Sequence, residues 1–184
     1  MSTDQEKSFI ATFSTRLGNP HFPRLTYGKK VSTLRPDYEL FTFSSHIDVS
    51  DYLFLSRNVA PDALTFYFRG IDDYYTIYIL TPGDYHYRTV SKEQKDFLNA
   101  YATKDGDQTT FNLLDANGKI ITLDHLDSDT PTVRIQTRAG KLLRAGLSRN
   151  ELDPNVGTFI RTDRNRSSAP LDFKLNILQR NAPY

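Results

Sequence analysis

The chain has 184 residues, with 23 Lys and Arg against 22 Asp and Glu, for a formal net charge of +1. This length predicts one domain, and the near-neutral charge argues against bulk electrostatic binding to nucleic acid. There is no cysteine, which excludes disulfides, a cysteine zinc site and a thiol nucleophile. The 11 Tyr and 12 Phe indicate a folded chain, because disordered sequences are poor in aromatic residues.

Short runs rich in aromatic and β-branched residues, most with turn formers nearby, predict strands. In chain order they are 9–13, 39–43, 52–55, 63–69, 74–80, 109–114, 119–123, 131–136 and 170–177. Asn117-Gly118 lies between two of these runs and predicts a tight hairpin. A helix is predicted only over 91–101, with Ser91 as its cap, and at that length its stability would depend on packing.

The amino-terminal sequence MSTDQEKSF is polar and lacks the apolar segment of a secretory signal. No stretch approaches the roughly 18 apolar residues of a transmembrane helix. We therefore expect a cytoplasmic protein that does not bind membranes.

A first sequence block occurs three times. Residues 76–88 and 132–144 align without a gap, with Thr76, Ile77, Ile79, Thr81 and Arg88 matched by Thr132, Val133, Ile135, Thr137 and Arg144. Residues 10–24 align with them when two residues are inserted in the turn, which places Ala11, Phe13, Thr15 and Arg24 on the same template.

A second block follows each copy of the first, at 52–68, 97–113 and 159–175. The three second blocks start with Tyr52, Phe97 and Phe159, and each has a phenylalanine 14 residues later, namely Phe66, Phe111 and Phe173. Phe68, Leu113 and Leu175 follow two residues after these, as one face of a strand requires. The order and spacing predict repeats of about 10–70, 76–116 and 132–178, with an insertion of about 28–48 in the first.

This threefold pattern resembles the β-trefoil superfamily, and its template is similar to the repeat of fascin-like and ricin-B-like trefoils. The resemblance implies one all-β domain over residues 1–184, in which six strands close a barrel and three hairpins cap its end. It also implies that Phe66, Phe111 and Phe173 are equivalent core positions.

The sequence lacks features of several trefoil groups, and this reduces the number of groups that it can resemble. Without tryptophan the chain has no Gln-x-Trp motif of ricin-B-like lectins, and without cysteine it has no disulfide of Kunitz-type inhibitors. The net charge does not support the basic heparin face of growth-factor-like trefoils. Fascin-like actin-binding modules, divergent lectins and the cysteine-poor fungal protease inhibitors called mycocypins remain.

No catalytic or metal-binding motif stands out. The four histidines have no spacing that places two ligands on one face, and the acidic stretch 124–129 lacks the glycine and distal glutamate of a calcium loop. No nucleophile elbow or glycine-rich phosphate loop occurs. We therefore expect a non-enzyme without cofactor or metal.

A hairpin rich in tyrosine and aspartate is the candidate ligand site. Aromatic rings stack on the apolar faces of sugars, and carboxylates accept hydrogen bonds from sugar hydroxyls. If Ile77 and Ile79 face the core, Tyr78 should face outward. The predicted ligand-binding residues are Asp72, Asp73, Tyr74, Tyr78, Asp84, Tyr85 and His86.

Charge is unevenly distributed along the chain. Residues 1–129 carry 13 Lys and Arg against 18 Asp and Glu, whereas residues 130–184 carry 10 against 4. The third copy is thus a basic sector, and arginine side chains suit the carboxylate, sulfate or phosphate groups of an acidic partner. Its basic residues include Arg134, Arg138, Lys141, Arg144, Arg149, Arg161, Arg164 and Arg166.

The hypothesis that these patterns favour is a non-catalytic, carbohydrate-binding, lectin-like protein. The alternatives are a mycocypin-like protease inhibitor, acting through the surface loops 28–48 and 146–155, and a module that binds actin or another protein. The expected partner is a glycan or a protein, not nucleic acid or a membrane. No sequence feature specifies an oligomeric state.

Overall fold

Short antiparallel strands dominate the fold, as the aromatic and β-branched runs predict. A computed structural model describes residues 3–28, 30, 32–34, 46–57, 63–92, 96–102, 108–146, 157–162 and 168–183. In chain order the elements are α1 (Asp4–Lys7), β1 (Phe9–Ser14), β2 (Asn19–His21), α2 (Pro23–Tyr27), β3 (Ser32–Leu34), β4 (His46–Asp48), β5 (Phe54–Ser56), β6 (Phe66–Ile71), β7 (Tyr74–Ile79), β8 (Thr89–Lys92), β9 (Leu98–Tyr101), β10 (Phe111–Leu114), β11 (Ile120–Ile121), a 3-10 helix (Leu123–His125), β12 (Thr132–Thr137), β13 (Leu143–Ala145), β14 (Thr158–Thr162) and β15 (Asp172–Arg180).

Six of the strands close into a barrel, which confirms the all-β class. Their antiparallel pairing runs β1–β6–β7–β10–β12–β15, and β15 pairs with β1 to complete the ring. Inward and outward side chains alternate along the strands, so that Phe173, Leu175 and Ile177 of β15 are buried inside the barrel. Closure satisfies the backbone groups that an open sheet edge would leave unpaired.

One hairpin lies between consecutive barrel strands in each sequence copy. These hairpins are β2/β5, β8/β9 and β13/β14. They also contact one another: β5 pairs with β14, and single bridges connect the other hairpins. The three hairpins therefore form one connected layer against the barrel.

The aromatic residues that start the second blocks occupy the centre of this layer. The rings of Tyr52, Phe97 and Phe159 contact one another, with centroid separations of 5.8, 5.9 and 4.9 Å. The backbone of each of these three aromatic residues pairs with the next copy. The partner is the residue two positions after the aromatic that starts the second block of that copy. The pairs are Tyr52 with Asn99, Phe97 with Arg161, and Phe159 with Phe54. The register between neighbouring copies is thus the same all the way round.

The phenylalanines predicted as core positions are inside the barrel. Phe66, Phe111 and Phe173 are all fully buried, which confirms that they are core positions. Phe13 stacks on Phe66 with a centroid separation of 4.7 Å and meets Phe173 edge-on at 5.4 Å. These rings fill the barrel interior next to the hairpin layer.

The helix predicted over 91–101 is wrong. This part of the chain contributes β8 and β9, which pair through Val90 with Ala100 and Ser91 with Asn99. Asp96 has a left-handed backbone with a φ of 66°, which no α-helix accepts. A segment this short is marginal as a helix, and the strand pairing supplies more backbone hydrogen bonds and more burial.

The hairpin predicted at Asn117-Gly118 is confirmed, since β10 and β11 flank it and pair. Only Gly118 has a positive φ, at 81°, and the Asp115 carboxylate accepts hydrogen bonds from the N–H groups of Asn117 and Lys119. The turn is therefore a longer one than a two-residue type I′ loop.

The predicted insertion of 28–48 contains the paired strands β3 and β4. Its middle, with the strand predicted at 39–43, and nearly all of the loop 146–155 lie outside the described residues. Within the described parts of the chain, no helix has the length and hydrophobicity needed to cross a bilayer.

Asp96 connects the second and third copies. Its Oδ1 atom accepts hydrogen bonds from Lys92 Nζ at 3.1 Å, Lys141 Nζ at 3.2 Å and Thr162 Oγ1 at 3.1 Å. Partial burial acts to raise the pKa of Asp96, but these hydrogen bonds outweigh it and hold the pKa below the ordinary value of 3.8. Folding therefore favours the charged carboxylate.

The first prediction tests the shared role of the core phenylalanines. Phe111→Ala should lower the free energy of unfolding by about 3–5 kcal/mol, because it leaves a cavity in the barrel. Phe66→Ala and Phe173→Ala should have similar effects in urea denaturation. Leu178→Ala, at a side chain that is 55% exposed, is the control and should change stability by about 0.5 kcal/mol or less. A loss below about 1 kcal/mol for the phenylalanines would contradict their placement.

The second prediction concerns acid stability. Asp96→Asn keeps a side chain that tolerates a left-handed backbone but removes the charge, and it should cost about 1–3 kcal/mol at neutral pH. Because the folded pKa is lowered, the stabilisation is complete above the unfolded value and disappears as the pH falls through the folded value. Urea denaturation from about pH 6 to about pH 2 should therefore show the difference between variant and wild type shrinking with acid. Asp172→Asn, which breaks an exposed pair with Arg134, is the control and should have little effect. A difference that stays constant with pH would refute the role of Asp96.

Candidate functional site

The predicted site residues separate to the two ends of β7. Asp72, Asp73 and Tyr74 lie at the turn from β6 into β7, whereas Asp84, Tyr85 and His86 lie in the turn that follows β7. The strand between them spans about 17 Å at the usual rise per residue. The structure therefore does not bring all seven residues into one site.

At the first end, the backbone of the turn is held by neighbouring elements. The carbonyl oxygen of Asp72 accepts a hydrogen bond from Lys7 Nζ at 2.7 Å, and that of Asp73 accepts one from Asn112 Nδ2 at 2.8 Å. Both aspartate side chains are exposed. Tyr74 is half-buried, and the Arg138 guanidinium lies 4.1 Å from its ring centroid. A face of the Tyr74 ring is thus already occupied by a cation.

Tyr78 faces outward from the barrel as predicted, but its side chain is covered by neighbouring residues and is not open to a ligand. Its side chain lies on the face opposite Ile77 and Ile79, as alternation requires, but it is only 5% exposed. Tyr78 contacts the ring of Tyr67 of β6 and forms a small buried cluster with it and Ala182, against which Ile10 and Leu80 pack. The Tyr67 hydroxyl donates a hydrogen bond to the Ala182 carbonyl oxygen at 3.2 Å. Residues after β15 therefore cover this outer wall of the barrel.

The turn after β7 is held by backbone hydrogen bonds. His86 N–H donates to Gly83 at 3.1 Å, and Arg88 N–H donates to Tyr85 at 2.9 Å. Tyr87 N–H returns to β7 and donates to Ile79 at 2.8 Å. The side chains of Asp84 and His86 are exposed in this ordered turn, and His86 Nδ1 donates a hydrogen bond to the Leu80 carbonyl oxygen at 3.0 Å.

Tyr85 anchors the turn and is not accessible to a ligand, contrary to the sequence-based prediction. Its side chain is 1% exposed and packs on Phe22 with a centroid separation of 5.0 Å. Its hydroxyl donates to the Asp51 carboxylate, and the Ser50 carbonyl oxygen lies 3.1 Å away. Arg24 Nε forms an ion pair with the same carboxylate oxygen of Asp51 at 3.2 Å.

The electrostatics of this anchor keep Tyr85 protonated. Burial is the main cause that raises the pKa of Tyr85 far above its ordinary value, and the hydrogen bond to the Asp51 carboxylate raises it further. Asp51 in turn raises the pKa of Arg24. The neutral phenol and the charged pair therefore form a stable support for the turn.

Tyr87 is the residue that sequence analysis missed. Its side chain is 58% exposed, and its backbone is left-handed with a φ of 60°. The His86 ring contacts the Tyr87 ring edge-on, with a centroid separation of 4.3 Å. Strand alternation cannot identify this residue, because the chain has left β7 at this point and the turn geometry determines which ring faces solvent.

Several of the described basic residues of the third copy already have partners in the fold. Arg134 pairs with Asp172 at 2.9 Å, Lys141 pairs with Asp96, and Arg144 donates a hydrogen bond to the carbonyl oxygen of Ser168. Arg149, Arg164 and Arg166 lie outside the described residues. Within the described ranges, no group of three or more His, Asp or Glu side chains is arranged to hold a metal ion.

Comparisons of the chain with protein-family models, with curated proteins and with solved structures found no match. The function proposed below is therefore inferred from the geometry of the described residues.

The third prediction tests the anchor. Tyr85→Phe should lower the free energy of unfolding by about 1–2 kcal/mol, because it leaves the Asp51 carboxylate without its hydroxyl donor in a partly buried place. Tyr87→Phe removes the same hydroxyl from an exposed ring and should change stability by about 0.5 kcal/mol or less. Equal effects of the two substitutions in urea denaturation would refute the anchoring role.

Proposed function

We propose that the barrel and its three hairpins form a β-trefoil. The strand order supports this proposal, because each pair of consecutive barrel strands within a copy encloses one hairpin. The pairing around Tyr52, Phe97 and Phe159 also supports the trefoil. Each of these residues pairs with the next copy at the same offset, as expected where three equivalent units meet.

We also propose that the protein is a non-catalytic carbohydrate-binding protein and that Tyr87 is its stacking platform. The observation that carries this proposal is an exposed aromatic ring at a left-handed backbone position. Glycine adopts that backbone without strain, whereas another residue costs about 1–2 kcal/mol. The tyrosine is therefore not the residue that stability alone favours at this position, which supports a role in binding.

The surroundings of Tyr87 suit a sugar. A pyranose ring has an apolar face that can cover the tyrosine ring, and its hydroxyls need polar partners around the rim. Asp84 and His86 are exposed in the same turn. Asp84 supplies a carboxylate acceptor and His86 supplies Nε2, because its Nδ1 already donates a hydrogen bond to the Leu80 carbonyl oxygen. Because the buried Tyr85 holds the turn against the fold, little conformational entropy is lost when a ligand binds to the turn.

The fourth prediction tests this function directly. The wild-type protein should bind a subset of glycans on an array, and Tyr87→Ala should weaken that binding about tenfold or more. Asp84→Ala should weaken it through the loss of a hydrogen-bond acceptor. Leu178→Ala removes a similarly exposed apolar side chain elsewhere and should leave binding unchanged.

Tyr87→Gly separates binding from stability. It should abolish binding while leaving the melting temperature equal or higher, because glycine relieves the backbone strain. Papain and pepsin inhibition are measured beside the array. Inhibition by the wild type without glycan binding, unaffected by the Tyr87 and Asp84 substitutions, would replace this proposal with the inhibitor alternative.

A further inference from the structure

An arginine ends the first block of every copy, at Arg24, Arg88 and Arg144. In two copies the fold uses the side chain internally: Arg24 pairs with Asp51, and Arg144 donates a hydrogen bond to the Ser168 carbonyl oxygen. Arg88 differs from both. Among the described residues, no carboxylate forms an ion pair with the Arg88 guanidinium, and this includes the exposed Asp84 of the same turn.

Arg88 is nevertheless held in place. Its guanidinium carbon lies 5.1 Å from the centroid of the Tyr85 ring, and that ring is fixed by Phe22 and Asp51. A guanidinium has N–H donors around its rim, and stacking on an aromatic face leaves that rim available for hydrogen bonds. The half-buried Arg88 thus presents an ordered cation next in the chain to the exposed ring of Tyr87.

We infer that Arg88 makes this site selective for saccharides that carry an anionic group, either a carboxylate or a sulfate. The guanidinium fork donates paired hydrogen bonds to the oxygens of such a group while the sugar ring stacks on Tyr87. A neutral sugar makes only the stacking contact and the hydrogen bonds to Asp84 and His86. This inference rests on the proposed carbohydrate-binding function and names its ligand class.

The test measures the affinity of the full chain for three oligosaccharides of equal length by titration calorimetry. The probes are an oligogalacturonate with carboxylates only, a sulfated dextran with sulfates only, and a neutral dextran. At least one anionic probe should bind about tenfold or more tighter than the neutral one, and the difference should shrink as salt is added. The two anionic probes distinguish carboxylate from sulfate recognition.

Substitutions assign the selectivity to a residue. Arg88→Gln should remove the preference for the anionic probe, and Arg88→Lys should retain only part of it, because lysine keeps the charge but not the fork. Arg138→Gln is the matched control, since Arg138 also stacks on a tyrosine, at the opposite end of β7. Melting temperatures verify that each variant is folded.

The outcomes separate this inference from the function on which it rests. Equal binding of neutral and anionic probes, both weakened by Tyr87→Ala, would overturn the role of Arg88 and keep the carbohydrate site. Anionic binding that is insensitive to Tyr87→Ala and lost in Arg138→Gln would overturn both, and would place anion binding at the other end of β7.

Discussion

The contact among Tyr52, Phe97 and Phe159 is the constraint on which the position of each hairpin depends. Each ring belongs to a different copy, and the backbone beside it pairs with the next copy in the same register. Shifting one strand by a residue would turn its aromatic away from the other two and disrupt two neighbouring pairings. The hairpins are therefore fixed relative to one another by a single shared core, and this core also fixes the positions of the turns that lead from the barrel into them.

Much of the barrel could be predicted from sequence because its signals are local. Alternating apolar residues identify the strands, and Phe66, Phe111 and Phe173 recur at a fixed distance from the hairpin aromatics. Burial on the outer wall could not be predicted in the same way. Alternation correctly gives the direction of Tyr78, but residues that share its buried cluster, such as Ala182, are far away along the chain.

The candidate site was predictable in its composition and not in its arrangement. Asp84 and His86 are in the exposed turn as expected. Tyr85 is buried, because its ring packs on Phe22 and its hydroxyl hydrogen-bonds Asp51, and both partners are distant in sequence. A run of alternating polar and aromatic residues in a turn contains no periodicity that decides which ring is inside. The number of basic residues in the third copy likewise does not predict a free basic surface. Several of these cations form pairs within the fold, such as Arg134 with Asp172.

The three copies share a core, but they do not share the exposed ring. On the alignment of the first blocks, Pro23 and Leu143 stand where the second copy has Tyr87, and both are buried. One chain therefore offers this turn once, which makes it monovalent at this position. Under the proposed function, this turn alone gives one chain no avidity on a dense glycan surface, because avidity requires two sites that engage simultaneously.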